Sequence, residues 1–346
     1  MRDGRSKNNV FGMENADFGK SFNCSDDVTD QENSPLRRLL FFKMAKSVIL
    51  IKPEDFAFNK EAADDNIFAS DTDFKENVKS DVEYEFHNLV LKLKQNKINA
   101  IVFDDLNPSL GPDVIFPNNW FSSHDDGTVI IYPMCHSSRR SERRPDIIQY
   151  LQNKFIVQNV LDLSLSESQG RFLEGTGSMV FDHDQKIVYA AISQRTDESL
   201  VLSVSKTLNY IPFTFQTMPI LGGVPIYHTN VIMAVGSHYI VCCTELIEPC
   251  KVKPFLNIVK QSGKDLVDIT CDQVKQFAGN IIQIRNADNE LCTVMSDRAY
   301  ASFTDDQLGI IAKHGRIVHS SIETIENIGG GGVRCMIAEV WLDPKN

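Results

Sequence analysis

Hydrophobic and polar positions along this chain follow a plan that repeats about every 50 residues. Each repeat begins with a polar loop residue, continues with two short apolar strands joined by a polar turn, and then reaches a Ser or Thr typical of a helix start. Strands are predicted at 128–132, 178–181, 187–192, 231–235, 239–243, 281–284, 291–295 and 336–340. Helix starts are predicted at Ser137, Ser193, Thr244 and Ser296. The pattern therefore predicts an α/β protein.

The first polar residue of each repeat recurs at a nearly constant interval. These residues are Asn119, Glu174, His228, Asn280 and Cys335, at intervals of 55, 54, 52 and 55 residues. Such spacing indicates one supersecondary unit used five times, if a partial unit at 56–59 is counted. In a closed ring one recurring position would converge on the axis, which would bring Asn119, Glu174, His228 and Cys335 around one cavity. The alternative is that a chain without repeats has been divided into similar lengths.

The first 43 residues differ in composition from the rest of the chain. Residues 1–43 are polar and rich in Asn, Asp and Ser, whereas a buried strand is predicted at 47–52, before a turn at Pro53. We therefore predict a flexible extension at 1–43 and a single catalytic domain at 44–346. Of the 346 residues, 42% are hydrophobic, so the chain can form a sizeable core.

Charge and cysteine spacing exclude several classes of protein. A net charge of -11 argues against nucleic-acid binding, and the basic run Arg139–Arg144 is too short to change this. No segment approaches the roughly 20 apolar residues of a membrane span, and no signal core follows the N-terminus, so a cytoplasmic location is predicted. The eight cysteines form no CxxC pair and the eight histidines no HExxH motif. We therefore expect no metal, no cofactor and no disulfide framework.

Cys335 is the first candidate for chemistry. It follows the glycine run Gly329–Gly332 and precedes the strand predicted at 336–340. Consecutive glycines form poor strands and helices, and they allow backbone to approach a ligand closely. A thiol beside such a loop is a candidate nucleophile, although a buried structural cysteine is the alternative.

His228 and Glu174 supply the partners that a cysteine nucleophile requires. His228 stands directly before an apolar strand, and Glu174 lies in a turn bounded by glycine. Alone, each would be interpreted as a structural residue. Together with Cys335 they supply an acid/base and a carboxylate, and the acid/base would protonate a leaving amine and activate water.

Several segments, in the order in which they occur, resemble the guanidine-modifying or pentein superfamily. Residues 173–177 (LEGTG), residues 193–197 (SQRTD), the His-x-Asn element at His228 and the glycine-rich approach to Cys335 are similar to those of arginine deiminases, dimethylarginine dimethylaminohydrolases and amidinotransferases. Residues 112–120 resemble the substrate loop of the first repeat in these enzymes. The resemblance covers roughly 47–342, and the text of 116–144 is most similar to the bacterial citrulline-hydrolase branch.

This resemblance implies a fold and a set of roles. The fold would be a five-fold pseudo-symmetric α/β propeller of ββαβ units, with the active site at its axis. Cys335 would attack the central carbon of a guanidinium or ureido group, His228 would transfer protons, and Glu174 would orient His228. Arg195, with Arg139 or Arg140, would hold the substrate carboxylate. The full set of implied substrate-binding residues is Asn119, Asn230, Asp113, Phe116, Arg195, Arg139 and Arg140.

Two departures from the family pattern concern the substrate. Relatives that act on arginine hold the cationic guanidinium with carboxylates at the positions of Asn119 and Asn230. Neutral amides compensate a buried cation poorly but suit a neutral ureido group, which both donates and accepts hydrogen bonds. We therefore expect a citrulline-like substrate, hydrolysed through a covalent cysteine adduct, although Asp113 could still serve a cation.

Three alternatives stay open at this point. The first two are a hydrolase of the arginine or dimethylarginine type and an amidinotransferase. The third is a propeller that binds a partner without catalysis, for which the Cys/His/Glu set would have no purpose. A small-molecule substrate is the expected partner, and a homodimer is the one protein assembly considered.

Overall fold

A computed structural model describes residues 44–71, 77–105, 110–220, 223 and 225–345 of the chain. The predicted flexible extension at 1–43 lies outside the described residues, so it stays a prediction. None of the described helices is both long and apolar enough to cross a lipid bilayer.

The strands of the described residues are short and belong to five separate three-stranded sheets. They are β1 (Ser47–Ile51), β2 (Asn99–Phe103), β3 (Phe121–Ser123), β4 (Thr128–Ile131), β5 (Asn159–Asp162), β6 (Val180–Asp182), β7 (Ile187–Ala191), β8 (Ile211–Phe215), β9 (Met233–Val235), β10 (Tyr239–Cys242), β11 (Asp265–Asp268), β12 (Ile282–Arg285), β13 (Leu291–Ser296), β14 (Arg316–Ser320) and β15 (Ala338–Val340).

The helices connect the strands within and between these sheets. They are α1 (Val78–Gln95), α2 (Ser137–Arg140), α3 (Pro145–Lys154), α4 (Gly175–Ser178), α5 (Glu198–Leu208), α6 (Pro249–Ser262), α7 (Cys271–Lys275), α8 (Asp297–Ser302), α9 (Asp305–Lys313) and α10 (Glu323–Gly329).

All five sheets are built in the same way. In the second unit, β7 pairs with β6 in antiparallel register (Val180 opposite Tyr189) and with β8 in parallel register (Ile187 opposite Ile211). The antiparallel pair needs only a tight turn, whereas the parallel pair needs a helical crossover, here α5. Each unit is therefore ββαβ, as the repeat predicts.

The fifth unit is assembled from both ends of the described chain. β15 pairs antiparallel with β1, with Ser47 opposite Val340, and β1 pairs parallel with β2 after the α1 crossover. The partial unit predicted around 56–59 belongs to this fifth unit, because those residues lie in the connection between β1 and α1. Pairing of the two ends closes the set of five units and leaves all five residues of β1 buried.

Each crossover helix buries one face. Along α5, Leu200, Val201 and Val204 are buried while Leu202 is 48% exposed, which is the pattern of an amphipathic helix packed on a sheet. The first strands of neighbouring units pack together, β15 on β3, β6 on β9 and β9 on β12. The result is the predicted five-fold pseudo-symmetric α/β propeller.

Some predicted boundaries are wrong for local reasons. The strand predicted at 178–181 begins only at Val180, because residues 175–178 form the short helix α4. The helix start predicted at Ser193 lies at Asp197 instead, whose side chain accepts a hydrogen bond from the Leu200 amide. The start predicted at Ser296 is correct, because its hydroxyl accepts a hydrogen bond from the Ala299 amide.

Candidate active site

The five leading residues of the repeats occupy equivalent positions in the fold. Each lies in the turn that precedes the first strand of its unit. All are buried, with exposed fractions of 2%, 0%, 2%, 1% and 5% for Asn119, Glu174, His228, Asn280 and Cys335. Because the first strands pack around the axis, these turns are brought together at one end of it.

Cys335 and His228 line the same pocket. Glu174 lies directly behind His228. The complete lining is Ala62, Asn66, Asp113, Phe116, Asn119, Arg139, Arg195, Tyr227, His228, Gly329, Gly330, Gly331 and Cys335. The pocket therefore brings together most of the side chains that the sequence indicates, although they are far apart in the chain.

His228 is oriented by Glu174. Its Nε2 lies 2.8 Å from Glu174 Oε2, and Glu174 Oε1 accepts a hydrogen bond of 3.0 Å from the backbone amide of Cys135. Since Nε2 is engaged, Nδ1 is the ring nitrogen available for proton transfer. Burial lowers the pKa of His228, while the neighbouring carboxylate opposes that decrease.

Glu174 is a fully buried carboxylate held in its charged form. Burial alone would raise its pKa, but Arg195, 3.5 Å away, and Arg139, 3.9 Å away, act with His228 to hold the pKa well below its usual range. A permanent negative charge behind the imidazole favours the imidazolium that forms when His228 takes a proton.

Cys335 is surrounded by amide donors. Asn280 Nδ2 lies 3.2 Å and Asn230 Nδ2 3.5 Å from its Sγ, and the Asn280 amide is fixed by a 2.9 Å bond to the Asn230 carbonyl. Burial raises the pKa of the thiol, and the Asn280 amide acts in the opposite direction. The two amides can thus stabilise a thiolate once a proton acceptor and a substrate are present.

The glycine run forms one wall of the pocket, as the sequence predicts. A methyl group on Gly331 would lie 2.8 Å from the ring of Phe116 and 3.3 Å from Cys335 Cβ. The Gly330 carbonyl accepts a 3.0 Å hydrogen bond from the hydroxyl of Tyr227. Larger residues would therefore fill the space beside the thiol.

Asp113 also lines the pocket. Its Oδ2 accepts a hydrogen bond of 2.7 Å from Asn59, and Arg139 Nε lies 3.7 Å from the same oxygen. Arg139 is itself buried against Glu142, at 2.8 Å, and donates a 2.8 Å bond to Asn119 Oδ1. Arg139 thus holds the first-repeat loop together in the described structure.

Arg195 lines the pocket as well, although its guanidinium is already engaged. Nε donates to Asp65 Oδ2 at 2.8 Å, Nη2 donates to the other Asp65 oxygen and to the Ala62 carbonyl, and the group lies over the ring of Tyr227 at 4.6 Å. The charged partners hold the pKa of Asp65 at about 2 against the effect of burial. Arg140 is outside the pocket lining, and it donates to the carbonyls of Met134 and Cys135.

Four residues near the pocket were not singled out from the sequence. They are Asp65, Asn66, Tyr227 and Asn280. Asn280 could have been found, since it is the leading residue of the fourth repeat. Asp65 and Asn66 carry no sequence signal, because they belong to the connection between β1 and α1, away from the leading residues of the repeats.

Solved structures of known proteins share this fold. The N-terminal domain of ArgZ, an arginine dihydrolase of cyanobacteria, solved with bound substrate, superposes with a TM-score of 0.66 at 12% identity over 85% of this chain and 97% of that one. Unliganded AgrE gives a TM-score of 0.66 at 13% identity over 87% of this chain and 40% of that one.

A dimethylarginine dimethylaminohydrolase, solved as an adduct with S-methyl-L-thiocitrulline, gives a TM-score of 0.59 at 14% identity over 86% of this chain and 100% of that one. The predicted propeller fold is therefore confirmed. A search of curated sequences found no match.

A family model identifies the chain more narrowly. The model of eukaryotic N,N-dimethylarginine dimethylhydrolases matches residues 52–342, and the chain belongs to that family. It is thus a hydrolase-type enzyme of the amidinotransferase fold. The citrulline-like substrate, the homodimer, the cytoplasmic location and the absence of a metal or cofactor stay predictions.

Proposed function

We propose that this enzyme hydrolyses a terminal C–N bond of the guanidino group of an arginine-type amino acid through a covalent adduct on Cys335. The observation that carries the proposal is the presence of Asp113 in the pocket lined by Cys335 and His228. Asp113 is 5% exposed, and a buried carboxylate facing a pocket is suited to a planar cation with several N–H donors. The family match supports the same class of substrate.

The reaction would proceed in two stages. In the first, the Cys335 thiol gives its proton to His228 and its sulfur bonds to the central guanidino carbon, and the resulting tetrahedral centre expels an amine that takes that proton from His228. The adduct is an S-linked amidino (isothiourea) group that carries the rest of the amino acid. In the second stage, water gives a proton to His228 and its oxygen bonds to the same carbon. The C–S bond then breaks, which restores the thiol and releases a ureido product.

The surrounding residues have distinct proposed roles. His228 Nδ1 would carry the proton in both stages, because Nε2 is bonded to Glu174. The Asn280 and Asn230 amides would stabilise the thiolate. Arg195 is the proposed partner of the substrate carboxylate because it lines the pocket, whereas Arg140 is proposed only as a support for the loop after β4.

A citrulline-like ureido substrate is the second candidate. Asn119 Nδ2 and Asn230 Oδ1 have no hydrogen-bond partner among the described residues, and both atoms are buried. One free donor and one free acceptor beside the nucleophile match the oxygen and the N–H groups of a neutral ureido group. An amidinotransferase reaction would need an amine instead of water in the second stage.

The substrate is tested by measuring kcat/KM for arginine, dimethylated arginines and citrulline with the wild type, with Cys335→Ser as the inactive control. We expect hydrolysis of a guanidine to be preferred. Asp113→Asn should then reduce kcat/KM for guanidines roughly 30- to 150-fold, since a charge-assisted hydrogen bond contributes about 2–3 kcal/mol.

Asn119→Asp is the matched variant, because it adds a carboxylate to the same pocket without removing Asp113. It should leave the preference for guanidines intact. If the wild type hydrolyses only citrulline, and Asp113→Asn leaves its rate unchanged, the guanidine proposal is wrong and the ureido candidate replaces it.

A further inference from the structure

A second group of reactive side chains lies beyond the strand ends of the third unit, outside the lining of the Cys335 pocket. Cys243 follows β10, and Cys271 begins α7 shortly after β11, the parallel neighbour of β10. Their sulfur atoms are 4.0 Å apart, and Cys271 Sγ lies 3.4 Å from Glu245 Oε2. The three ligand atoms all lie within 4.8 Å of one another.

The Cys243–Cys271 and Cys271–Glu245 distances match two edges of a tetrahedral metal site. Zinc bonds of about 2.3 Å to sulfur and about 2.0 Å to oxygen place two sulfurs roughly 3.8 Å apart and a sulfur and an oxygen roughly 3.5 Å apart. A disulfide would instead require the two sulfurs to approach to about 2.05 Å. The cluster therefore has the spacing of three ligands around one ion rather than that of a disulfide.

Both sides of the cluster are held by hydrogen bonds outside it. Asp268 accepts 3.1 Å and 2.8 Å bonds from the amide and hydroxyl of Thr244, which stands between Cys243 and Glu245. On the other side, a capping box fixes the start of α7. Thr270 accepts from the Gln273 amide, and Gln273 accepts from the Thr270 amide. Such outer partners orient metal ligands before the ion binds.

We propose that Cys243, Cys271 and Glu245 form a binding site for a thiophilic divalent cation of the Zn²⁺ class. Cys243 is buried, Cys271 is partly exposed and Glu245 is exposed, so a fourth coordination position faces solvent. Two thiolates and one carboxylate are the ligand chemistry that selects zinc over magnesium or calcium.

The ion would join the two loops at the end of the sheet from which His228 projects. The Cys243 amide donates a 3.0 Å bond to the Ile232 carbonyl, at the end of the turn that follows His228. The site would thus stabilise the loop that carries the acid/base residue. Sequence spacing gives no sign of this, since a Cys-x-Glu pair and a cysteine 26 residues after the glutamate form no recognised metal motif.

The test is titration of the reduced full-length protein with Co²⁺, in a Cys335→Ser background that removes the active-site thiol. We expect one equivalent to bind, with a thiolate-to-cobalt charge-transfer band and the intense visible bands of tetrahedral cobalt. Zn²⁺ should displace the cobalt and raise the thermal midpoint of the same protein. These readouts are independent of turnover.

Three variants in that background locate the site. Cys271→Ser should abolish the charge-transfer band. Glu245→Gln should weaken binding by roughly 10- to 100-fold or more, since losing even an outer partner has an effect of that size. Cys250→Ser is the matched control because Cys250 is exposed and touches only Glu248 in the hydrogen bonds described, so its titration should match that of the background.

Two results would overturn the proposal. One is a Co²⁺ titration that is the same with and without Cys271. The other is a reduced protein that binds no Co²⁺ but forms a Cys243–Cys271 disulfide on oxidation, which would identify a redox pair. Because Cys271 and Glu245 are not fully buried, these variants keep the test informative even if Cys243→Ser fails to fold.

Discussion

Replacing Glu174 by Gln tests whether the carboxylate behind His228 contributes to catalysis through its charge. Oε1 accepts from the Cys135 amide and Oε2 contacts His228 Nε2, so both oxygens act as acceptors. A glutamine offers one oxygen and one NH₂ group. If the NH₂ group faces the Cys135 amide, two donors face each other. If it faces His228 Nε2, two donors face each other unless His228 moves its proton from Nε2 to Nδ1.

The expected loss can be derived from this geometry. A full negative charge about 4 Å from the imidazolium is worth about 4 kcal/mol at an effective dielectric constant of 20, and a neutral amide retains little of this. The charge-assisted bond itself contributes about 2–3 kcal/mol. We therefore expect kcat to fall roughly 100- to 1000-fold with little change in KM, because the imidazolium exists only during the reaction.

The pH dependence provides a second signature. Burial lowers the pKa of His228 and Glu174 raises it, so Glu174→Gln should lower it further. In the proposed mechanism His228 carries the proton that reaches the leaving amine, so activity is lost as pH rises and that proton is removed before the reaction. The alkaline limb of the kcat profile should therefore move to lower pH in the variant.

Steady-state ammonia or amine release between pH 5 and 9 measures both effects. The fold should survive, because Arg139 keeps Glu142 and Arg195 keeps Asp65 as charged partners. Comparison of thermal midpoints verifies this. Wild-type kcat and an unshifted alkaline limb in a folded Glu174→Gln protein would refute the proposed role of the charge.

Two further variants probe the packing of the site and the stability of the domain. Gly177→Ala should lower kcat roughly 100-fold, since its methyl group would lie 2.5 Å from Asn119 Nδ2 and 2.8 Å from His228 Nδ1. At Gly309 the added methyl group would have no atom from outside its own helix turn within 4 Å, so Gly309→Ala should keep full activity and gain about 1 kcal/mol of stability. Equal activity of the two variants would contradict the packing argument. Burial raises the pKa of Glu326 to about 7 in the folded protein. The protonated side chain therefore contributes to the free energy of unfolding below about pH 4.5, and this contribution is lost as pH rises through 7. The free energy of unfolding should therefore decrease between pH 5 and 8 in the wild type, and this decrease should be about 3 kcal/mol smaller in Glu326→Gln. Denaturant titrations that give the same decrease for both proteins would exclude this.

The sequence alone determined the repeat, the resemblance to the superfamily and the positions of the proposed reacting groups. Alternation of apolar residues, turn signals and the interval between leading residues are properties of short segments, so they can be recognised without coordinates. The leading residues Glu174, His228 and Cys335 were found in this way, and the structure brings them to one end of the axis.

Boundaries were less certain where side-chain bonds compete with local propensity. Ser193 looks like a helix cap, but its hydroxyl donates to the Tyr227 carbonyl at 2.7 Å, and Asp197 caps the helix instead. Which residue caps the helix therefore depends on a contact with the neighbouring repeat, and the local sequence pattern does not contain that contact.

Only the tertiary structure decided which residues meet across long stretches of chain. Asp65 pairs with Arg195 across 130 residues, and Asn59 fixes Asp113 across 54. Cys243 and Cys271 come together because β10 and β11 are parallel neighbours. Such contacts result from the closure of five units around one axis, and the free energy of that packing is distributed over the whole core rather than encoded in any single segment.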